Sequence, residues 1–433
     1  MKITIVAANT FQYDARQLRT ARALATDGHQ VTLVGFAARG LPDAVDLAPG
    51  VTLRRIPVDL TIASALRPLP RWVRRAACTF LGIDPDASAL PPDAPRGADR
   101  LRAPFRRLLE ITAHARRVGP WTDAVLRACP DGQVLQAKAL IALPVIRGAA
   151  RRTGARFVYD IADIHTEAAR LARMPRWFRA IVRGRERGWM AEAAGLTAVS
   201  DDVADEVVRR FDVRRPVVVL NTPPAWHPNE ALPTRGGRLR ETAGVGAQAC
   251  LVLYQGGFSV DRGIEELVAA LDEPPLTDRD VVAVFVGYGR LRPWLDGEAA
   301  RRPGRVVVVD AISPGELLEY TVDADVGFVG QPPRTLNQRL NLANKLFEYM
   351  QAAVPVVVAE GTAHCRLTRQ LGIGRCVDVD RPSAIAEAIA ELITLSAPDR
   401  DRLRRQIRAK ALESYTWEVQ QAGLVGLYRS LAA

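Results

Sequence analysis

Between Lys2 and Phe36 the chain writes strand, helix and strand in about thirty residues, the length of one βαβ unit. KITIVA at 2–7 is a short apolar run rich in β-branched side chains. A polar loop from Asn9 to Asp14 leads into a helical pattern from Arg16 to Asp27, Gly28 closes it, and VTLVGF opens the next strand. Two strands joined by one helix run parallel, so the chain is committed to a parallel sheet covered by helices.

The same alternation continues. Strands are expected at Val51 to Val58, Gln133 to Gln136, Arg156 to Ile161, Leu196 to Val199 and Pro216 to Leu220, with helix-length patterns between them. Asn221 to Gly237, NTPPAWHPNEALPTRGG, is dense in Pro and Gly and without periodicity, as a linker is. A second series follows, with strands at Cys250 to Tyr254, Val281 to Gly287, Val306 to Asp310, Asp325 to Val329, Pro355 to Ala359 and Arg375 to Val379. Helices are expected at Pro382 to Leu395, Asp401 to Leu412 and from near Trp417 to the end. The fold class is thus α/β with two Rossmann-like domains, 1–221 and 238–412, a linker at 222–237, and a last helix at 413–433 crossing back towards the first domain. Such domains carry their ligand loops at the carboxyl ends of their strands, here facing each other across a cleft.

With 433 residues, 48% of them hydrophobic, there is material for two cores. The start MKITIVAANT enters a strand without a signal peptide's apolar region, and no apolar run reaches 18 residues, so a cytoplasmic protein is expected. Five scattered cysteines predict buried, inert thiols rather than a disulfide frame or a zinc site. The formal charge of +11 is lopsided: residues 1–225 hold 35 Lys and Arg against 22 Asp and Glu, which leaves the remainder slightly acidic. Within the basic half, Arg67 to Arg117 mixes arginines with Trp72, Phe80 and Phe105, a pattern that fits an amphipathic basic helix on an anionic surface and equally an arginine-rich solvated face.

Two stretches carry chemistry. In Asn341-Leu-Ala-Asn-Lys-Leu-Phe-Glu-Tyr-Met-Gln-Ala-Ala-Val-Pro-Val-Val-Val358, a polar loop leads into a short helix and then a buried strand. The helix mouth offers unpaired N–H groups to a phosphate, and one turn further in Glu348 can reach a ribose. In Gly256-Gly257-Phe258-Ser259-Val260-Asp261-Arg262-Gly263, a glycine-rich turn between strand and helix lets backbone approach a ligand while Arg262 supplies a donor fork for phosphate oxygens.

With VFVGYGRL at 284–291, RVVVVDAISPGELLEYTVDADVGFV at 305–329 and NKLFEYMQAAVPVVV at 344–358, these stretches resemble the nucleotide-binding domain of the GT-B glycosyltransferases of family GT4, a retaining group. The first half agrees more loosely, through residues 14–35 and VYDIADIHTE at 158–167. The resemblance implies a glycosyltransferase that moves a sugar from a nucleotide diphosphate sugar to a small-molecule, saccharide or lipid-linked acceptor. Glu348 matches the glutamate on the donor ribose, and Arg262 the second member of the basic pair on the diphosphate. Gly256 stands in the place of the first member, with Lys345 the candidate to replace its charge. Gly257 and Asn344 complete the donor-binding set.

Two further positions depart from the family pattern. Leu340 occupies the place of a second glutamate that meets the donor sugar, which moves sugar recognition to Asn337, Asn341 or backbone. In the first half Gln136-Ala137-Lys138 replaces a histidine-containing segment, which nominates Lys138 and His165. The implied mechanism is front-face attack with no protein nucleophile, no metal and no other cofactor. The acidic pairs Asp323/Asp325 and Asp201/Asp202 then read as loop and capping residues. Rival readings are a sugar-nucleotide epimerase, an inactive relative of the same fold, and a basic protein binding nucleic acid or a membrane surface. No base-stacking module supports nucleic acid. Peripheral contact with an anionic membrane at its inner face stays open.

Overall fold

The structure is a computed structural model that describes residues 1–12, 14–59, 61, 66, 68–84, 99–168, 171–228 and 237–432. Its strands are β1 Lys2–Val6, β2 Gln30–Phe36, β3 Ala44–Ala48, β4 Val51–Ile56, β5 Val134–Lys138, β6 Arg156–Ile161, β7 Gly195–Ala198, β8 Val217–Val218, β9 Cys250–Phe258, β10 Val281–Gly289, β11 Val306–Val309, β12 Val326–Val329, β13 Val356–Ala359 and β14 Gly374–Val377. They form two sheets, ordered β3-β4-β2-β1-β5-β6-β7-β8 and β11-β10-β9-β12-β13-β14. The expected βαβ opening is present: β1 pairs parallel with β2 across the helix Ala15–Thr26, with Ile5 opposite Leu33. One strand was not expected. Ala44–Ala48 runs antiparallel to β4 as a half-exposed edge strand, where AVDLA buries too little to leave an apolar signature.

Contacts divide the chain into two compact units: Met1–Asp160 with Gly188–Leu196 and Tyr428–Ala433, and Ile161–Arg187 with Thr197–Leu427. In the first unit Ile3, Ile5, Leu33, Val34, Ala142 and Ile146 lie at the core. A buried polar chain runs beside them. The Tyr428 hydroxyl donates to Gln136 Oε1, Gln136 Nε2 to Gln17 Oε1 at 3.0 Å, and Gln17 Nε2 to Asp160 Oδ2 at 2.6 Å. Arg16 meets the same carboxylate through Nε and Nη2, at 3.2 and 2.9 Å. A buried carboxylate costs little only when its oxygens are this fully engaged. The end of the helix Trp417–Ala432 is held in this unit by that tyrosine, by Arg429 on Asp27 and by Arg156 donating to the Leu431 carbonyl at 2.7 Å.

The arginine-rich segment forms two helices rather than one, Arg71–Leu81 and the long Asp99–Ala128 with Pro104 and Pro120 inside it. Arg67 and residues 85–98 of that segment lie outside the described residues. Trp72, Phe80, Phe105 and Leu108 are exposed, and the Arg102 guanidinium lies 5.6 Å from the Phe80 ring centre. No described helix is long and apolar enough to cross a membrane.

In the second unit β9 is central, with Leu253 opposite Val284 on β10 and Gly327 on β12. The acidic pairs do structural work there. Asp323 accepts from the backbone N–H groups of Gly237 and Arg240, at 2.9 and 2.8 Å, and so caps the helix Arg238–Ala243 from a distant loop. Asp325 accepts from Leu251 N–H and Arg240, while Asp201 and Asp202 pair with Arg215 and Arg366. The cysteines depart from expectation. Cys365, on the helix Ala363–Leu371, is joined by a disulfide to Cys376 on β14, while Cys78, Cys129 and Cys250 stand outside any disulfide. Helix and strand place the two Cα atoms 5.4 Å apart, a proximity that eleven residues of sequence separation do not announce.

Candidate active site

The helix Asn344–Gln351 buries Leu346, Phe347, Tyr349 and Met350, which leaves Lys345 and Glu348 half-buried, three residues apart on its open side. Tyr349 sets the register. Its hydroxyl donates to the Leu253 carbonyl at 2.8 Å and accepts from Gln255 N–H at 3.2 Å, and its ring fills the space that a side chain on Gly327 would need. Glu348 is thereby aimed at β9, where Gln255 Nε2 donates to its Oε2 at 2.6 Å. Gln255 is held in turn, its Oε1 accepting from Thr321 Oγ1 at 2.9 Å.

Lys345 lies over Tyr254, with Nζ 3.6 Å from the ring centre, and makes no hydrogen bond or ion pair with a described residue. Burial, reinforced by Arg262, pulls its ammonium down to about 7, while Glu348 opposes the shift. Gly256 has φ +120, and a Cβ built on it would lie 3.5 Å from Lys345 Nζ. The lysine charge therefore stands where a side chain at 256 would project. Tyr254 donates to the Gly257 carbonyl at 2.8 Å, and burial raises its phenol to about 12, so it remains a neutral donor.

The glycine-rich turn is shorter than its sequence suggests. β9 pairs with β10 through Phe258, which puts Gly256 and Gly257 in the strand and leaves the turn to the residues after it. Arg262 donates through Nη1 to Gln331 Oε1 at 2.8 Å. Gly263 has φ +74 and packs on Gly330, where a Cβ would collide with the carbonyl oxygen.

At the helix mouth His364 Nε2 accepts from Ala343 N–H at 2.8 Å. Burial, with Lys345 and Arg262 adding to it, pulls this imidazole down to about 3, and a neutral ring is what that acceptor role requires. The amides of Asn344 and Lys345 follow in the first turn, where no carbonyl four residues back lies inside the helix. Arg262, Lys345 and this helix end make a compact cationic patch beside Glu348. That combination can bind a diphosphate and a diol together.

The remaining nominated residues have other surroundings. Lys138, at the end of β5 in the first unit, is paired with Asp14, which also accepts from Asn9 Nδ2 at 2.7 Å. Asn9, Thr10, Phe11, Gln12, Asp14 and Lys138 line a cavity of about 210 Å³, flanked by two non-glycine residues at positive φ, Phe11 and Ala139. His165, in the short turn His165–Glu167 of the second unit, has a buried Nε2 without a partner among the described residues. Burial lowers its affinity for a proton, with Asp163 opposing. Asn337 has both polar groups occupied: Nδ2 donates to Asp163 Oδ1 at 2.8 Å, and Oδ1 accepts from Ile164 N–H at 2.9 Å. Asn341 donates to the same Asp163 oxygen at 3.1 Å.

Sequence reading missed Tyr254, Gln255, Gln331 and His364. A polar Gln at the end of the apolar run CLVLY was the one available signal. The others are defined by partners far away in the chain.

Residues 249–394 match the family model for glycosyl transferases group 1. No curated protein matches the chain. Among solved structures, sucrose-phosphate synthase from Thermosynechococcus elongatus is similar at 16% identity and TM-score 0.73, covering 100% of this chain and 99% of that one. Anabaena HepE in complex with UDP and glucose is similar at 15% and 0.63, covering 99% and 100%. A glycosyltransferase from Rickettsia africae gives 11% and 0.63, covering 100% and 98%. The chain has the GT-B fold. The match over residues 249–394 indicates a glycosyltransferase, and the solved structures show the fold.

Proposed function

We propose that the chain transfers a sugar, with retention at the anomeric carbon, from a nucleotide diphosphate sugar to a hydroxyl or amine acceptor. The observation that carries this reading is the placement of Lys345 beside Gly256, with Arg262 and the Asn344 helix end at the same patch and Glu348 one turn away. Glu348 accepts the ribose hydroxyls, and Arg262 with Lys345 holds the diphosphate. The complex of HepE with UDP and glucose supports the choice of donor class.

In this reaction the bond between the anomeric carbon and the diphosphate oxygen breaks, and the acceptor oxygen or nitrogen bonds to that carbon on the same face. The departing diphosphate oxygen takes the acceptor proton. Arg262, Lys345 and the first-turn amides stabilise the charge that grows on the diphosphate, which is where preorganised donors lower a barrier most. The reading calls for no protein nucleophile and no metal. Its test is a panel of UDP-, GDP-, dTDP- and ADP-sugars followed by release of nucleoside diphosphate. Slow release with one donor, lost in Arg262→Ala, supports the reading, and no release with any of them, alone or with mixed sugar and lipid acceptors, contradicts it.

A lipid-linked acceptor at an anionic membrane surface is favoured by one observation. Trp72, Phe80, Phe105 and Leu108 are exposed on two helices rich in arginine. Sedimentation with anionic vesicles at low salt, lost in Trp72→Ser with Phe80→Ser, is expected. Absence of vesicle binding returns this surface to plain solvation.

A further inference from the structure

The loop that joins the helix Leu336–Leu340 to the helix Asn344–Gln351 meets a carboxylate from elsewhere in the same unit. Asp163 Oδ1 accepts from Asn337 Nδ2 at 2.8 Å and from Asn341 Nδ2 at 3.1 Å. These two donors are four residues apart, so the carboxylate lies on one face of the turn that contains Leu340. Ile164 N–H, donating to Asn337 Oδ1 at 2.9 Å, fixes the backbone next to it. Leu340 offers no polar side chain, and its carbonyl is engaged by Ser200 Oγ at 3.0 Å.

Asp163 Oδ2 makes no hydrogen bond or ion pair with a described residue, and the side chain is half-buried. Among the described residues, it is therefore a carboxylate held by one oxygen with the other available to accept. Asn341 is three residues from Asn344, a span of at most about 11 Å of chain. In a nucleotide sugar the hexose follows directly on the second phosphate. A diphosphate at the Asn344 helix end thus carries its sugar into the neighbourhood of Asn341 and the carboxylate it holds.

We infer that Asp163 recognises hydroxyls of the donor sugar, presented by Asn337 and Asn341, in the role for which this chain has no carboxylate at Leu340. The inference rests on the donor site proposed above. Asn337 is a positioning residue, and Asp163 is the specificity-determining acid. A carboxylate oxygen accepting from a sugar diol strengthens sugar binding without touching the nucleotide.

The test is calorimetric titration of wild type and Asp163→Asn with UDP, GDP, dTDP and ADP and with the glucose ester of each. The nearly isosteric change is expected to weaken the best nucleotide sugar about tenfold or more while leaving the matching nucleoside diphosphate within about twofold. Equal weakening of both ligands, or no change in either, overturns the role of Asp163. Wild type that binds none of the nucleoside diphosphates overturns the donor site itself, a distinct result. Should Asp163→Asn not fold, Asn341→Ala removes one of the two donors that orient the carboxylate. A sugar-specific loss of a few-fold there supports the inference, and its absence contradicts it.

Discussion

Lys345 rests on Tyr254, its ammonium 3.6 Å from the ring centre and beside the place where Gly256 has no side chain. The aromatic face gives the charge partial compensation, and burial still pulls it down to about 7.

From this follows a pH dependence. In the unfolded chain Lys345 titrates near 10.4, so above about pH 7 the unfolded state binds the extra proton and folding stability rises with pH up to that value. A bound diphosphate reverses the balance, because it favours the ammonium. Ligand binding between about pH 7.5 and 9 should therefore take up a proton, and affinity should fall as pH rises through that range. Calorimetry in buffers of different ionisation enthalpy measures the uptake, and Lys345→Met should abolish it. Uptake that persists in Lys345→Met assigns the proton elsewhere.

Gln255 links Glu348 to Thr321, with both contacts buried or half-buried. Gln255→Leu leaves a carboxylate and a hydroxyl without this partner, at a cost of about 1–3 kcal/mol. Urea midpoints should fall accordingly, and nucleoside diphosphate affinity with them. Gln255→Glu sets two carboxylates together and should weaken ligand binding further. An unchanged affinity in both variants would mean that Glu348 needs no support from β9.

Gly263 combines positive φ with contact on the Gly330 carbonyl. Gly263→Ala should cost about 1–3 kcal/mol or more and displace the neighbouring Arg262. Gly257→Ala is the contrast, since a Cβ there meets nothing within 4 Å. Thermal unfolding of the two variants should separate clearly, and equal midpoints would contradict the tight packing at Gly263.

Tyr428 donates to Gln136 inside the first unit. Tyr428→Phe strands the Gln136 oxygen at the head of the chain that ends on Asp160 and Arg16, and should cost about 1–3 kcal/mol. Denaturant unfolding checks this, and a variant as stable as wild type would show the network to be dispensable.

The fold was legible because a parallel sheet needs continuous apolar strands separated by helices, and KITIVA, VTLVGF and VVVA announce them with little else to imitate. Ala44–Ala48 escaped notice because an exposed edge strand needs no such run. Arg262, Lys345 and Glu348, the donor-binding residues proposed above, stand in local motifs that the sequence displays. Gln255 and Gln331, which hold Glu348 and Arg262, and Asp163, which Asn337 and Asn341 hold, were not legible in this way, since each acts through a partner at least 69 residues away. The Cys365–Cys376 disulfide was missed for a related reason: the meeting of helix and strand, rather than spacing, brings the sulfurs together.

The central claim is that Glu348 binds ribose at the Asn344 helix. It is tested most directly by titrating wild type and Glu348→Ala with the preferred nucleoside diphosphate and with its 2′,3′-dideoxy analogue. Wild type should prefer the natural ribose by about tenfold or more, and Glu348→Ala should bind both forms equally weakly. A variant that keeps the full preference for the natural ribose would contradict the assignment.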